Sequence, residues 1–456
     1  MVNNQVFKDF LPVIAGVFAA VMMTGCIEDG LETSPSSRPA FSVESVEMGK
    51  VFTAQPTMTS RLMVYNRHDK VLNISRVAMR SGNGVFRLNV DGAAGSEFRD
   101  VEIRPNDSIY VLVNATLPEN GHPGLATVTD YIDFETNGVT TSVPVTAEGH
   151  DVVRKRAVTL TADTRWDVTY PYQVFDSIVV EKGATLTLPA GATLYFHDKA
   201  YIRVKGRLVT EGTVEAPVLL TGDRLGNVVG NIPFDLMASQ WEGVKFESDS
   251  RGNSLTHTVV SNTVNGVYVG RSAEVSMLNC RLRNSARYAL ESVGDVIKLV
   301  GCEVADGGAG AMLVEGGVVT ANHCTFANYY LFSAPIATAV TLHGGVKGTF
   351  DNCIFYGMGK DLLLTKEVER ISLFRNCLFK SQGTDDERFI NCLWDSDPMF
   401  GTVRGEYLFD YRLHPGSPAI GTANPALTLP EAQYDMYGTP RGETPNIGAY
   451  QLTIEN

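Results

Sequence analysis

Hydrophobic positions in the second half of the chain recur in short alternating runs, which glycine or asparagine separates. Val275, Ile297 and Val319 are 22 residues apart, and Val267, Ala289 and Ala311 repeat this spacing. Alternation indicates strands that bury one face, and a fixed period indicates units that pack on their neighbours. A propeller blade needs about 40–45 residues, and the framework of leucine-rich repeats is missing. The pattern therefore predicts a β-solenoid whose coils each give two or three short strands.

Six cysteines occupy one position of this repeat, with spacings of 22, 22, 29, 24 and 15: Cys280, Cys302, Cys324, Cys353, Cys377 and Cys392. Thr258 takes the same position one coil earlier. Because equivalent residues of a solenoid stack about 4.8 Å apart, we expect these seven to form an inward ladder, with cysteine as a compact hydrophobe. Stacked cysteines come within disulfide range, but their parallel Cβ directions favour free thiols, and both states stay open. CxxC pairs are absent, so no metal site is expected.

The residues that precede the ladder predict the corners of the coils. Positive backbone φ angles suit Gly301 and the asparagines at this position, which are Asn279, Asn352, Asn376 and Asn391. His257 and His323 take the same position, so we expect both to face outward. The 29-residue step predicts an inserted loop around Tyr329–Lys347.

The first 25 residues have the features of an export signal. Lys8 precedes the apolar stretch Phe10–Met23, which is 14 residues long and too short to cross a bilayer, where about 20 are needed. The sequence Met23-Thr24-Gly25-Cys26 resembles the lipobox of bacterial lipoproteins. This resemblance implies a signal peptide over residues 1–25 and an acylated Cys26. An ordinary secretory signal with an incidental cysteine is the alternative.

The residues after Cys26 bear on location. Glu28 and Asp29 resemble the export signal of Bacteroidota lipoproteins, which implies lipid anchoring in the outer membrane with exposure on the cell surface. Residues 26–40 are rich in serine and proline, which predicts a lipidated tether.

Residues 41–152 have a different pattern. About seven short alternating runs with turn signals, and no cysteine, predict a β-sandwich of the immunoglobulin-like (Ig-like) type. Asp133–Gly138 resembles the Ig-like module that precedes the β-helix in such lipoproteins. Val153–Arg156 is expected to be an exposed joint.

Residues 160–450 resemble the right-handed parallel β-helix proteins of the pectate-lyase-like superfold. Trp166-Asp167, Val179–Gly191, Trp241–Val244, Gly416–Ile420 and Asn446–Tyr450 carry the likeness. The resemblance implies an all-β chain with a right-handed parallel β-helix over 157–400 and a closing cap over 401–456. It also implies that Asp435 and Arg441 form an ion pair within that cap.

The net charge of the chain limits the classes of partner that it can bind. The chain of 456 residues has 38 basic and 51 acidic side chains, which gives a net charge of −13 without blocks of Lys or Arg. Nucleic-acid binding is therefore not expected. We expect a monomer whose partners are outer-membrane lipid, through Cys26, and a polysaccharide or a host or cell-surface protein.

Two functions remain open. In enzymes of this superfold, a lyase needs a base and a group that neutralises the uronate carboxylate of the substrate. A hydrolase needs a pair of carboxylates. Candidate catalytic residues are the cluster Asp385, Asp386 and Arg388, and the neighbouring pair Arg281 and Arg283. For both sets, solvated charges at a turn or on the outer face are favoured over a catalytic role. No cofactor is expected unless a lyase uses calcium.

The favoured hypothesis is a non-catalytic lipoprotein whose β-helix binds a glycan or protein, or serves adhesion. The alternative is a carbohydrate-active enzyme, either a uronate-polysaccharide lyase or a glycoside hydrolase. A binding surface predicts an exposed aromatic strip, for which Tyr329 and Tyr330 are the nearest candidates.

Overall fold

The computed structural model describes residues 30–229, 232–332, 337–369 and 371–452. Two units are present, one ending at His150 and the other beginning at Asp151. The signal peptide and Cys26 lie outside the described residues. In the described part of the chain, no helix is long and apolar enough to cross a membrane.

The first unit consists of two five-stranded sheets. Its strands are β1 (Ala40–Phe41), β2 (Val46–Phe52), β3 (Ser60–Tyr65), β4 (Leu72–Met79), β5 (Phe86–Val90), β6 (Ala93–Gly95), β7 (Glu97–Ile103), β8 (Ser108–Ala115), β9 (Leu125–Thr136) and β10 (Val139–His150). The strand orders are β1-β3-β8-β5-β6 and β2-β10-β9-β4-β7. Alternate residues of both sheets, such as Val64, Val111 and Phe134, share one core. The unit is thus a two-layer β structure, and its assignment as Ig-like stays a prediction.

The second unit is built almost entirely of short strands. They are β11 (Val153–Leu160), β12 (Thr164–Arg165), β13 (Tyr172–Val180), β14 (Thr185–Pro189), β15 (Thr193–Phe196), β16 (Tyr201–Val204), β17 (Arg207–Glu211), β18 (Val218–Gly222), β19 (Asn227–Val229), β20 (Ile232–Pro233), β21 (Gly243–Phe246), β22 (Asn253–Thr256), β23 (Thr258–Ser261), β24 (Val267–Val269), β25 (Glu274–Leu278), β26 (Arg281–Arg283), β27 (Tyr288–Ser292), β28 (Val296–Val300), β29 (Glu303–Ala305), β30 (Gly310–Glu315), β31 (Val318–Asn322), β32 (Thr325–Asn328), β33 (Val340–His343), β34 (Lys347–Asp351), β35 (Ile354–Gly357), β36 (Leu362–Leu364), β37 (Leu373–Arg375), β38 (Leu378–Phe379) and β39 (Phe389–Ile390). The helices are α1 (Lys366–Glu369) and four 3-10 turns (Phe234–Leu236, Arg404–Glu406, Pro425–Leu427 and Pro430–Ala432).

These strands wind into a parallel β-helix with three faces. Sheet one runs β12-β14-β17-β22-β25-β28-β31-β34-β37-β39. Sheet two is the parallel series from β15 through β18, β23, β26, β29, β32 and β35 to β38. Sheet three is the series from β16 through β21, β24, β27, β30 and β33 to β36. Each of the middle coils gives one strand to each face, so equivalent residues lie side by side along the axis.

Stacked side chains fill the interior. The rings of Phe350, Phe374 and Phe389 lie nearly parallel, with centroids 4.9 and 4.8 Å apart. In a second column Phe379 stacks on Trp394, with centroids 4.7 Å apart. Such stacks bury large apolar area with favourable ring geometry, and they stabilise the last coils.

The cysteine ladder lies on the inner side of one corner. All six cysteines are free; Cys392 is half-buried and the other five are fully buried. Thr258 is buried beside Thr210, with hydroxyl oxygens 2.5 Å apart. The residue before each member of the ladder has a positive φ, for example 52° at Asn279 and 63° at Gly301. Compact thiols therefore fill the space beneath each left-handed corner.

Two boundaries differ from the expectation. Strand β11 already begins at Val153, because Val153–Arg156 pair with Tyr172–Phe175 of β13. Residues 401–452 run along the flank of the middle coils rather than across the end of the stack. Tail contacts reach Arg281 in β26 and Asn352 beside β35, and they supply hydrogen-bond partners to polar side chains there.

Candidate functional site

Arg281 anchors the tail and does not face a groove. Its guanidinium donates to the hydroxyls of Tyr437 (2.9 Å) and Tyr450 (3.3 Å) and lies 3.5 Å from the buried carboxylate of Glu303. Although burial favours the neutral guanidine, Tyr450 and Glu303 hold the pKa of Arg281 above its ordinary value. Arg283, at the end of the same strand, has a buried Nε without a hydrogen-bond partner. Arg281 is therefore a structural residue in this geometry.

The cluster at residues 385–388 shapes the turn before β39. Asp386 accepts hydrogen bonds from the Arg388 side chain at 2.7 Å and from the Phe389 amide at 2.9 Å. These contacts, the Arg388 side chain first, lower the pKa of Asp386 to about 2. Asp385 accepts from the Trp394 indole at 3.1 Å. This turn lies next to the last coil, four coils beyond Arg281 on β26, so the structure does not bring the two candidate sets together.

Two expected outward histidines differ in burial. His257 is half-buried, but His323 is completely buried. The tail crosses His323: Nδ1 lies 3.0 Å from the carbonyl oxygen of Asn446, and Nε2 lies 2.9 Å from the Thr428 hydroxyl. Burial, with Arg441 nearby, lowers the pKa of His323 well below its ordinary value. His323 thus points out of its coil toward the tail, and its burial was not expected because the path of the tail is not visible in the repeat.

The contacts of the tail differ from the expected Asp435–Arg441 ion pair and from the expected exposed strip of Tyr329 and Tyr330. Asp435 accepts hydrogen bonds from three backbone amides, and Arg441 donates to the carbonyl of Ala449 at 2.9 Å. Both side chains thus organise the tail backbone and do not pair directly. Tyr330 is 8% exposed, and Tyr329 packs on Tyr411 of the tail with centroids 5.8 Å apart. Neither tyrosine forms an exposed strip.

The outer surface of sheet three carries a groove of about 450 Å³. Strand pairing places four outward residues in one row on successive coils: Arg203, Lys245, Tyr268 and Glu291. We call the cleft that they border the sheet-three groove; its polar lining consists of Tyr201, Arg203, Glu242, Lys245, Asn265, Tyr268, Arg287 and Glu291. Because neighbouring strands lie about 4.8 Å apart, the row offers an extended ligand one contact per coil.

Charges in the sheet-three groove are largely paired. Glu247 accepts a hydrogen bond from Arg203 at 2.5 Å and lies 3.2 Å from the Lys245 ammonium. Burial acts to raise the pKa of Glu247, but these two cations hold it below its ordinary value. The Lys245 ammonium also lies 5.7 Å from the centre of the Tyr268 ring, within cation–π range.

The acidic groups that line the groove have partners of their own. Glu242 accepts from the Asn265 amide at 2.9 Å, and Glu291 lies 3.6 Å from Arg287. Burial, and the nearby Glu291, raise the pKa of Tyr268, so this phenol stays neutral and can donate a hydrogen bond. The site therefore combines a half-buried aromatic ring with fixed donors and acceptors.

A histidine–carboxylate pair lies on sheet two. His197 Nδ1 is 2.8 Å from Asp223, which also accepts from the buried Gln173 amide at 3.0 Å. A carboxylate that orients an imidazole is part of many nucleophilic sites. Within the described residues, however, no hydroxyl or thiol forms a hydrogen bond with this imidazole, so the pair lacks the nucleophile of a triad. The described residues also contain no cluster of three or more His, Cys, Asp or Glu side chains that could hold a metal ion.

Sequence reasoning missed the groove, although a signal for it exists. Lys245, Tyr268 and Glu291 are 23 residues apart, at outward positions of three strands that pair in register. Charged and aromatic residues that recur at this spacing on outward positions reveal the row. The ladder was easier to see because its residue type repeats.

Comparisons with known proteins identify the fold. The family described as right-handed β-helix region matches residues 265–385. This match and the long parallel sheets confirm the predicted all-β, right-handed parallel β-helix. No curated protein matches the chain.

Two solved structures share short stretches of similarity. A protein of unknown function from Porphyromonas gingivalis W83 is 14% identical, with a TM-score of 0.19, over 27% of this chain and 60% of that one. A family 123 glycoside hydrolase from Clostridium perfringens is 9% identical, with a TM-score of 0.19, over 29% of this chain and 30% of that one. The alignments thus span less than two thirds of either protein, and we draw no functional conclusion from them.

Proposed function

We infer that this chain is a lipid-anchored outer-membrane protein whose β-helix binds a glycan in the sheet-three groove without cleaving it. The row formed by Arg203, Lys245, Tyr268 and Glu291 carries the proposal. A sugar presents an apolar ring face and a rim of hydroxyls, and it matches a tyrosine ring flanked by charged donors and acceptors. The repeat of the coils allows successive sugars to meet successive side chains.

The anchoring part of the proposal comes from the sequence. Acylation of Cys26 would fix the chain to lipid, because each buried CH₂ contributes about 0.8 kcal/mol and several chains together bind almost permanently. The serine- and proline-rich tether and the first unit would then lie between Cys26 and the β-helix along the chain. A monomer suffices for this role, since the groove is formed by one chain.

Pairing of the acidic groups favours binding over catalysis. A hydrolase needs one carboxyl group as acid and another as base or nucleophile, facing the bond from two sides. Glu242 and Glu291 line the groove together, and this keeps a glycoside hydrolase as the second candidate function. Each of them is engaged by Asn265 or Arg287, which supports a structural and binding role.

A polysaccharide panel tests the proposal. Affinity electrophoresis of the full chain in gels that contain neutral, uronate-rich or sulfated polysaccharides should show retardation by at least one of them. Tyr268→Ala should abolish that retardation, because the ring is the central contact of the row. Tyr110→Ala, a change at an exposed tyrosine of the first unit, is the matched control and should bind as the parent does.

The same panel separates the two candidates. Reducing-sugar release and the ultraviolet absorbance of unsaturated uronates should stay at background for every polymer that binds. If the parent releases reducing sugar and Glu242→Gln or Glu291→Gln abolishes that release, the chain is a hydrolase and the binding proposal is wrong. If Tyr268→Ala leaves the retardation unchanged, the sheet-three groove is not the binding site.

A further inference from the structure

A second recess lies on the outer surface of sheet two, away from the sheet-three groove. Its volume is about 290 Å³, and it is bounded by Tyr195 and Thr221 on neighbouring strands and by Pro233 of the β19–β20 hairpin. None of its lining residues belongs to the sheet-three groove. The recess is therefore a separate candidate site.

Two opposite charges border this recess, and neither charged group has a hydrogen-bond or ion-pair partner among the described residues. Arg224 and Asp235 both line it. Among the described residues, the Arg224 guanidinium forms no hydrogen bond or ion pair, and its contact is with the Phe234 ring, 5.8 Å from the centroid. The Asp235 carboxylate likewise has no partner in the described part of the chain. The two groups do not pair with each other, so each is available to a ligand.

Buried amides hold the backbone at both charged residues. The side-chain amides of Asn262 and Asn284 donate to the carbonyl of Asp235 at 2.6 and 2.7 Å. Gln240 accepts from the Arg224 backbone amide at 3.3 Å, and all three amide side chains are buried. Buried polar side chains are costly unless they are bonded. Here their hydrogen bonds fix the positions from which the two charges project, which lowers the ordering cost of binding.

The chemistry of the pair specifies a ligand with two charges. A guanidinium binds a carboxylate through two parallel hydrogen bonds, and a carboxylate accepts from an ammonium group. A recess of this volume lies near the lower end of small-molecule sites, which span roughly 300–1,000 Å³. We propose that it binds a free α-amino acid, with the ligand carboxylate on Arg224 and the ligand ammonium on Asp235.

Saturation-transfer NMR of the full chain with each of the twenty protein amino acids tests this proposal. At least one amino acid should receive saturation from the protein. Arg224→Gln and Asp235→Asn should each weaken its binding about tenfold or more, because each removes a charge-assisted hydrogen bond. Arg271→Gln, a change at an exposed arginine on another turn, is the matched control and should leave the signal unchanged.

Modified ligands and a groove variant complete the test. The N-acetylated form and the methyl ester of the bound amino acid should both lose the signal, and Tyr268→Ala should keep it, which makes this result independent of glycan binding. Absence of a signal from all twenty amino acids would overturn the proposal. A signal that survives Arg224→Gln and Asp235→Asn, or that the N-acetylated ligand retains, would overturn it equally.

Discussion

The hydroxyl of Tyr411 donates a hydrogen bond to the buried carboxylate of Asp306, with oxygen atoms 2.6 Å apart. Asp306 directly follows β29 of sheet two, and Tyr411 lies 105 residues later in the tail. The second carboxylate oxygen of Asp306 is buried without a hydrogen-bond partner. This contact therefore joins the tail to the β-helix at a point where an uncompensated acceptor is costly.

Tyr411→Phe should lower the free energy of unfolding of the second unit by about 1–3 kcal/mol, because the buried carboxylate of Asp306 loses one of its two donors and keeps only the Tyr329 amide. All three tryptophans, Trp166, Trp241 and Trp394, lie in this unit, so tryptophan fluorescence during urea unfolding reports on it alone. Tyr407→Phe, at an exposed tail position, is the matched control. Equal stability of the two variants would show that the contact contributes nothing.

The pH dependence of stability should carry the signature of Asp306. Burial raises its pKa from 3.8 to about 6, so the folded state holds the proton more tightly than the unfolded state does. The contribution of protonated Asp306 to the free energy of unfolding is complete below about pH 4 and is lost as pH rises through about 6. The free energy of unfolding changes by up to about 3 kcal/mol over this range. Asp306→Asn, which keeps an acceptor for Tyr411, should be more stable than the parent at pH 8 and should lose that advantage at pH 4. A difference that does not change with pH would contradict this assignment.

The thiols should be protected in the native chain. Burial raises the pKa of the Cys280 and Cys353 thiols well above the ordinary range and that of Cys392 to about 12, and the thiolate is the reactive form. Because the five fully buried thiols are inaccessible to solvent, their reaction with a thiol reagent at neutral pH should be negligible, and the raised pKa should make the reaction of half-buried Cys392 slow. All six should react in denaturant without a reductant. Fewer than six under those conditions would reveal a disulfide.

The corner at Gly301 should reject a side chain. Its φ is 63°, and a Cβ atom there would lie 2.2 Å from the amide oxygen of Asn279 on the preceding coil. Gly301→Ala should destabilise the second unit by about 1–2 kcal/mol for the left-handed backbone and by a further ~1–3 kcal/mol for overpacking. Gly345→Ala is the control, since its φ is 76° and the space around it is open. If the two variants lose the same free energy of unfolding in urea, the contact with the Asn279 amide oxygen contributes nothing to the effect of Gly301→Ala.

The sequence was most informative where one residue type repeats at one inward position. Cys280, Cys302 and Cys324 revealed the coil length because inward positions of successive coils face the same environment. Outward positions are not constrained in this way, so the row of the groove changes from cation to aromatic to anion between Lys245 and Glu291. The hairpin inserted before β21 also separates Arg203 from Lys245 by 42 residues, which hides their pairing.

The path of the tail was not predictable from the period for a physical reason. Its contacts join residues far apart in sequence, such as Tyr450 with Glu303 and Asn446 with His323. A repeat encodes only the packing of each coil on the next. The polar corner that the tail covers is visible in the sequence, but the segment that satisfies it is not.

A crystal structure of the full chain with the polysaccharide fragment of highest affinity would show whether the sheet-three groove holds the glycan. We expect an intact sugar whose ring lies on Tyr268, with neighbouring sugar units beside Lys245 and Glu291. A fragment bound elsewhere on the chain, or found cleaved in the groove, would contradict it.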